Sequence, residues 1–295
     1  MIEVAAPPVA RRRSFSRRLR SGVVLLISYL LLTAGALVMV APFLWMLSTA
    51  LKEPGRAFSY PPEWLPIPAT TENFVRVLTR VNFGRYIANS LGVALATMTL
   101  EVLTSSLAAY AFARLRFPGR DRLFLLYLGT LMIPGQVTVI PNFILMRLIG
   151  WVDTYQGLII PNAFTAFGTF LLRQYFLTLP PELEEAAKID GCGFFQIYRL
   201  IVLPLSGPAL ATLAILAFMG SYNAFFWPLV MISSEEKWTI PLALRFFTGQ
   251  AGFYASDWWL IMAGASIAVV PMLLVFVVAQ KYFVQGIVLT GMGGR

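Results

Sequence analysis

Long apolar runs without charge are the feature that most restricts how this chain can fold. From Gly22 to Leu47 the sequence reads GVVLLISYLLLTAGALVMVAPFLWML and contains no charged side chain. A helix needs about 20 apolar residues to cross the hydrocarbon core of a bilayer, whereas the apolar region of a signal peptide has only about 7–15. The run therefore predicts a membrane-spanning helix rather than a cleaved leader.

Similar runs recur along the chain, and only 13% of the residues are charged, against about 25% in soluble domains. We predict an all-α fold, a polytopic membrane helix bundle of six transmembrane helices, with residues 1–21 as a basic cytoplasmic tail and 22–295 as the transmembrane domain. The six predicted spans are Gly22–Leu47, Ile87–Ala111, Leu123–Ile140, Gly157–Leu177, Pro208–Met231 and Trp258–Phe283. Pro134-Gly135 is expected to break the third span.

The distribution of Lys and Arg orients these spans. With the N-terminus inside, the predicted cytoplasmic segments hold 15 of the 23 Lys and Arg residues, and the opposite loops hold 8. Cytoplasmic loops carry such an excess in membrane proteins. The distribution predicts that both termini are cytoplasmic, and it accounts for the net charge of +9 without nucleic acid.

Several classes of activity are excluded by missing residues. The chain has no His, which removes His-based catalysis and His-containing metal sites. It has no Gly-Lys dipeptide, so it lacks the P-loop of many ATPases. We expect no catalytic residues, no metal site and no cofactor bound by this chain. A polytopic membrane enzyme is the distant alternative, and it would need a clustered acid/base or metal set that the scattered acids do not provide.

A short polar stretch interrupts the apolar runs between the fourth and fifth spans. Residues 179–204 read LPPELEEAAKIDGCGFFQIYRLIVLP. Pro181 and three Glu residues suit the start of a helix, and Gly191 suits its end, which predicts a cytoplasmic helix of about two and a half turns. One face of it holds Leu183, Ala186, Ala187 and Asp190. This smooth face favours entry into a groove on another protein, and an interfacial amphipathic loop is the alternative.

The spacing within residues 180–204 resembles the EAA motif of ABC importer permeases. The residues that carry this resemblance are Glu185, Ala186, Ala187, Gly191, Ile201, Leu203 and Pro204. The predicted ATPase-coupling residues are these seven together with Asp190, which shares a face of the helix with the alanines. The stretches AAYAFARLRFPGR (108–120), MIPGQVTVIPNF (132–143) and GSYNAFFWPLV (220–230) are similar to the carbohydrate-uptake class of these permeases. The maltose and glycerol-3-phosphate systems belong to that class.

The resemblance implies a permease subunit in the plasma (inner) membrane of a prokaryote. Its implied partners are a second homologous permease, forming a heterodimer, two ATPase subunits that bind ATP and Mg²⁺, and an extracytoplasmic sugar-binding protein. ATP-driven alternating access would take up a sugar or oligosaccharide. The alternative cargo is glycerol 3-phosphate or another polyol phosphate. Such an anion would need cations or helix N-termini along the pathway, and the spans contain no obvious inward-facing Lys or Arg.

Five residues are candidates for the substrate pathway. Tyr222, Asn223, Phe226 and Trp227 form an aromatic and amide cluster in the fifth span, and Glu101 lies near the middle of the second. Aromatic faces and an amide suit a sugar, and a buried acid should face protein or water. The alternatives are an interfacial aromatic belt, helix-packing contacts and, for Glu101, a hydrogen bond to a neighbouring helix.

Overall fold

The computed structural model describes the backbone of residues 15–57, 59–80, 82–246 and 258–291. The described residues form fourteen α-helices: α1 Phe15–Ala50, α2 Glu72–Arg80, α3 Phe83–Arg114, α4 Arg120–Gly129, α5 Gly135–Leu148, α6 Tyr155–Ile159, α7 Ala166–Phe176, α8 Glu182–Ile189, α9 Phe194–Ile197, α10 Leu203–Leu205, α11 Gly207–Tyr222, α12 Phe226–Met231, α13 Ile240–Phe246 and α14 Trp258–Gly291. Residues 1–14 of the predicted tail lie outside the described residues.

Three helical stretches are long and apolar enough to cross a membrane: Val23–Ala50, Phe83–Arg114 and Trp258–Val278. Two bent pairs also qualify if each pair counts as one span. They are Arg120–Met132 with Gly135–Leu148, bent by 100°, and Phe194–Leu205 with Gly207–Tyr222, bent by 81°. The described residues thus confirm an all-α membrane bundle with three to five candidate spans, and the number six stays a prediction.

The helix breaks follow local sequence signals. The predicted break at Pro134-Gly135 is confirmed, since Pro134 is extended (φ −59°, ψ 128°) and α5 begins at Gly135. The predicted fourth span differs from the structure. It consists of α6, a 3-10 turn that contains Pro161, and α7. The extended backbone of Thr165 (φ −121°, ψ 133°) separates the last two pieces.

The predicted fifth span is also interrupted. Its helix α11 ends at Tyr222, and α12 begins only at Phe226. The side-chain amide of Asn223 turns back and donates to the Met219 carbonyl at 2.9 Å. A side chain that bonds its own backbone in this way offers an alternative to continuing the helix.

Helix α3 is the central element, with α7 and α11 packed along it. Small residues permit this close packing, as a Cβ added to Gly168 of α7 would lie 2.5 Å from Oγ of Ser105 on α3. With 32 residues, α3 is about 48 Å long at 1.5 Å per residue. We call the part of the bundle where α3 starts, near Asp153, the Asp153 end, and the part where α3 stops, near α8, the α8 end.

Candidate functional site

The predicted short helix is confirmed as α8. Its first turn holds Glu182, Glu184 and Glu185, where carboxylates favour the positive end of the helix dipole. Gly191 follows with a φ of 83°, the left-handed conformation that closes many helices and that glycine adopts without strain. The two signals read from the sequence, acids at the start and glycine at the end, thus define the helix.

The exposed face of α8 differs from the predicted one. Leu183, Ala186 and Asp190 are exposed, but Ala187 is only 7% exposed and packs in the core cluster of this chain. Its placement on the docking face was wrong, because the Ala187 side of α8 is buried in the core of this chain. We define the exposed α8 surface as Leu183 and Ile189 of α8 together with Phe194 and Phe195 of the following α9, which are 42%, 87%, 62% and 66% exposed.

The last three motif residues, Ile201, Leu203 and Pro204, lie outside α8. Ile201 and Leu203 pack against the same core cluster as Ala187, within or next to a π-helical turn at Tyr198–Val202. Pro204 is exposed. In this chain the two apolar residues therefore fix the position of the segment around α8.

A buried ion pair joins α8 to the end of α3, and sequence reasoning missed it. Arg114 Nε lies 3.0 Å from Glu184 Oε1, with the two side chains only 12% and 9% exposed. These two atoms have no aligned hydrogen-bond partner among the described residues, so they meet as an ion pair. Seventy positions separate the partners, and no short sequence pattern indicates such a contact.

A cavity of about 380 Å³ lies farther along α3. Its walls come from α3, α6, α7, α11 and α12, and it includes two of the predicted pathway residues, Glu101 and Trp227. Exposed residues at its edge, Leu216 and Gly220, open it to the surface of the chain. The structure thus brings together two side chains that are distant in the sequence.

The cavity wall offers several polar groups. Thr165 Oγ1 donates to Glu101 Oε1 at 2.6 Å and accepts from the Gly168 amide at 3.1 Å, which caps α7. The hydroxyls of Thr97 and Thr239 are buried without a partner among the described residues. Because buried polar groups almost always have a hydrogen-bond partner, these hydroxyls favour water or a polar ligand in the cavity. No sequence pattern indicated these threonines.

The other predicted pathway residues lie elsewhere. Tyr222 is 4% exposed, stacks on Phe218 and donates its hydroxyl to the Ala268 carbonyl of α14 at 2.8 Å, which is a packing contact. Asn223 and Phe226 are exposed at the break between α11 and α12. Trp227 lines the cavity and also makes a packing contact, since its indole donates to the Gly157 carbonyl at 3.1 Å.

Residues 8–289 match the family described as binding-protein-dependent transport system inner membrane component. The chain is 36% identical over 248 residues to the arabinooligosaccharides transport system permease protein AraQ of Halalkalibacterium halodurans, covering 84% of this chain and 86% of that protein. It is 33% identical over 272 residues to the sn-glycerol-3-phosphate transport system permease protein UgpE of Brucella abortus, covering 90% and 96%.

A solved structure shares the fold. It is the crystal structure of a bacterial ABC transporter involved in the import of the acidic polysaccharide alginate, with a TM-score of 0.79 and 27% identity, over 92% of this chain and 98% of that one. These similar proteins therefore include transport systems named for a sugar, for a phosphate ester and for an acidic polysaccharide.

Proposed function

Because this chain belongs to the family of inner membrane components of binding-protein-dependent transport systems, we propose that it is the permease subunit of an ABC importer for a neutral sugar or oligosaccharide. It pairs with a second homologous permease, receives cargo from an extracytoplasmic binding protein, and is driven by two ATPase subunits that carry ATP and Mg²⁺. The chain is not an enzyme. The observation that carries the proposal is that α3 is one unbroken helix. Its residues line the polar cavity, and its last residue, Arg114, pairs with Glu184 of α8.

The exposed α8 surface supports docking of an ATPase subunit. Ile189 at the end of α8 is exposed, and so are Phe194 and Phe195 of the following α9. Exposed large apolar residues concentrated in one short segment favour a protein–protein interaction site. The exposed Ala186 lies on the same helix as Ile189. Ala186→Trp should insert in the membrane but block docking, and recovery of ATPase with the purified permease measures this. Full ATPase recovery and turnover would retire the docking role.

The cavity supports a neutral cargo. None of the described residues that line it is Lys or Arg, and Glu101 is the charged side chain among them. A carboxylate repels an anion and accepts hydrogen bonds from sugar hydroxyls, while the indole of Trp227 suits the apolar face of a sugar ring. Glu101, Thr97 and Trp227 therefore form the proposed pathway, and Asn223 and Phe226 extend it at the break in α11–α12.

The second candidate cargo is glycerol 3-phosphate, favoured by the 33% identity to UgpE. A phosphate would need cations or free helix N-termini. The N-terminus of α7 lies at the cavity, but Thr165 caps it and Glu101 bonds to that cap. In this chain the carboxylate thus occupies the position that an anionic cargo would use, although the second permease could contribute cations.

The α8 end is cytoplasmic in this proposal, and both termini lie on that side. Single cysteines at Glu63 and Glu236, with Cys192 replaced, should react with an impermeant thiol reagent added from outside. Labelling of the Glu236 position only after permeabilisation would reverse the assignment.

The cargo class is tested in vesicles that contain the complete importer. Binding protein loaded in turn with arabinotriose, maltose, sn-glycerol 3-phosphate or an alginate oligosaccharide is added, and stimulated ATP hydrolysis and uptake are measured. We expect stimulation by a neutral sugar, and Glu101→Gln should reduce uptake more than ATPase attachment. Phe164→Leu is a control, because Phe164 is an exposed aromatic residue that lies neither in the cavity lining nor in the proposed pathway. Stimulation by the phosphate ester or the alginate oligosaccharide alone would contradict the neutral class.

A further inference from the structure

Arg114 is the last residue of α3, and its guanidinium contacts three separate segments. Nη2 donates to the carbonyls of Phe176 at 2.5 Å and Leu179 at 2.7 Å, and Nε lies 3.0 Å from Glu184 of α8. The first carbonyl belongs to the last residue of α7, where helix carbonyls lack intrahelical partners and a cation is favourable. One planar group therefore joins α3, the end of α7 and the first turn of α8.

We propose that the Arg114–Glu184 pair is the joint through which displacement of α8 is transmitted to α3, so that Arg114 and Glu184 are positioning residues for coupled transport. The inference rests on the proposed function, since it takes α8 as the element that the ATPases move. It assigns a role to two side chains that the motif does not include.

A buried apolar cluster adjoins the pair. Ala187 of α8 belongs to the same cluster as Ala109 and Ala113 of α3, so the ion pair lies beside a packed part of the core. Tyr110, one turn before Arg114, has its ring 5.4 Å from that of Tyr198. Glu184 thus gives α8 a charged contact with α3, and Ala187, three residues later, gives α8 an apolar position in the neighbouring buried cluster.

The same helix carries the cavity wall. Glu101 lies 13 residues before Arg114 on α3, about 20 Å away at 1.5 Å per residue, and the intervening sequence VLTSSLAAYAFA contains no Gly or Pro. An unbroken helix transmits a displacement of one end to the other because its backbone hydrogen bonds resist bending. A shift of α8 would therefore reach the cavity along α3, through Arg114.

Arg173 provides a matched control. Its side chain is 14% exposed and lies near the same end of the bundle. Among the described residues its polar contacts go to the Phe112 carbonyl at 3.2 Å and to Asp121 at 3.9 Å, and its guanidinium covers the Phe124 ring. It thus resembles Arg114 in burial and chemistry but joins α7 to α3 and α4.

The test measures a conformational change of the permease rather than uptake of cargo. In the complete importer, with Cys192 replaced, a single cysteine at Ser221 in the cavity wall is labelled with an impermeant thiol reagent before and after trapping of the ATPases with ATP and vanadate. Trapping should change the labelling rate in this parent. We expect Arg114→Lys to reduce that change about tenfold, within the usual range of coupling effects, because Lys keeps the charge but lacks the planar fork of Arg. Arg173→Lys should stay within about twofold of the parent.

Folding is checked separately. Arg114→Met combined with Glu184→Leu removes both charges and leaves no unpaired buried ion, so the pair variant should assemble with the ATPases and hydrolyse ATP at the basal rate, yet show the same loss of response. A normal change of the labelling rate in Arg114→Lys or in the pair variant would contradict the proposal that the Arg114–Glu184 pair transmits the displacement. An unresponsive parent would instead contradict the proposed ATP-driven function, and equal losses in Arg173→Lys and Arg114→Lys would reduce both residues to general supports of the fold.

Discussion

Where α3 begins, at the Asp153 end, many separate hydrogen bonds join it to its neighbours, whereas at the α8 end the guanidinium of Arg114 joins it to both α7 and α8. Tyr86, Asn89 and Ser90 of α3 all bond to the segment 235–240, at distances of 2.7–2.9 Å. Asn89 also accepts from the hydroxyl of Tyr155 at 2.8 Å. Loss of any one of these bonds leaves the others in place.

Asp153 continues this network between two loops. Its carboxylate accepts from the amides of Ser233 at 3.2 Å and Ser234 at 3.0 Å, from the Ser234 hydroxyl, and from Lys237 at 3.1 Å. At the α8 end, by contrast, Arg114 holds α7 and α8 together. Many separate hydrogen bonds hold the Asp153 end in one conformation. The contact of Arg114 with both α7 and α8 instead allows a displacement of α8 to be transmitted to α3. We therefore expect substitutions at the Asp153 end to change stability more than ATP response, and those at the α8 end to do the reverse.

The largest loss of stability is expected where the backbone itself is crowded at the Asp153 end. A Cβ on Gly157 would lie 2.3 Å from the Trp151 carbonyl oxygen and 2.7 Å from Met231 Cε. Gly157→Ala must therefore move the loop that contains Asp153, and we expect a loss of about 3 kcal/mol, the upper range for overpacking. Unfolding by SDS in mixed micelles measures it.

Gly92→Ala is the matched control for this substitution. It lies within α3, where no described atom comes within 4 Å of the added Cβ, so it should gain up to about 1 kcal/mol from the better helix propensity of Ala. Equal stability of the two variants would show that the Asp153 end yields easily and that the comparison fails.

The second prediction removes one charge from the network. Burial acts to raise the pKa of Asp153, but bonds from the Ser234 hydroxyl and amide, Lys237 and the Ser233 amide outweigh it and lower the pKa from 3.8 to about 2. Because the folded pKa is depressed, this stability is present above about pH 4 and is lost as the pH falls towards 2. At 1.36 kcal/mol per pKa unit it amounts to about 2 kcal/mol.

Asp153→Asn should lose this amount at neutral pH and show a flatter stability profile between pH 4 and 2. Asn is the suitable replacement because the residue has a φ of 57°, and Asn tolerates that left-handed conformation well. Stability that falls with pH equally in both proteins would assign the acid sensitivity to another carboxylate.

Local signals explain what the sequence predicted well. Pro134-Gly135 and Gly191 act on their own backbone, so the break before α5 and the left-handed residue after α8 could be read directly. The Arg114–Glu184 pair, the buried side of Ala187 and the contact of Tyr222 with α14 depend on which helices pack together. Spacing along one helix says which residues share a face, but it does not say which face meets the rest of the chain.

The site was predictable to a similar extent. Glu101 and Trp227 were selected for being polar or aromatic within apolar runs, and the fold brings both to the cavity. Thr97, Thr165 and Thr239 gave no such signal because hydroxyls are common in membrane helices and satisfy themselves on their own backbone. Only the packed structure shows which of these hydroxyls lack a partner.

The third prediction examines the α8 end with a small perturbation. Gly191 has a φ of 83°, and the nearby Gly193 has a φ of −75°. Gly191→Ala should cost about 1 kcal/mol through left-handed strain, and Gly193→Ala should cost less. If the comparison holds, Gly191→Ala also weakens the vanadate-dependent labelling at Ser221, despite its smaller effect on stability than Asp153→Asn. An unchanged response would show that α8 tolerates reorientation.

The smallest effect is expected from an exposed ion pair at the Asp153 end. Glu236 lies 3.4 Å from Arg85, but the two side chains are 72% and 49% exposed, so water and salt screen their attraction. Exposed pairs contribute about 0–1 kcal/mol, and we expect about 0.3 kcal/mol for Glu236→Gln. The Glu236 carbonyl, which accepts from Asn89, stays unchanged by the substitution, so the network persists.

Glu184→Gln is the buried counterpart at the α8 end and should cost several times more, because it leaves Arg114 buried without its counter-ion. Both are measured by SDS titration at low and high salt, and the small loss in Glu236→Gln should shrink further as salt screens the parent pair. A loss in Glu236→Gln as large as that in Glu184→Gln would mean that the Asp153 end also depends on one pair, and the contrast between distributed and concentrated contacts would then be wrong.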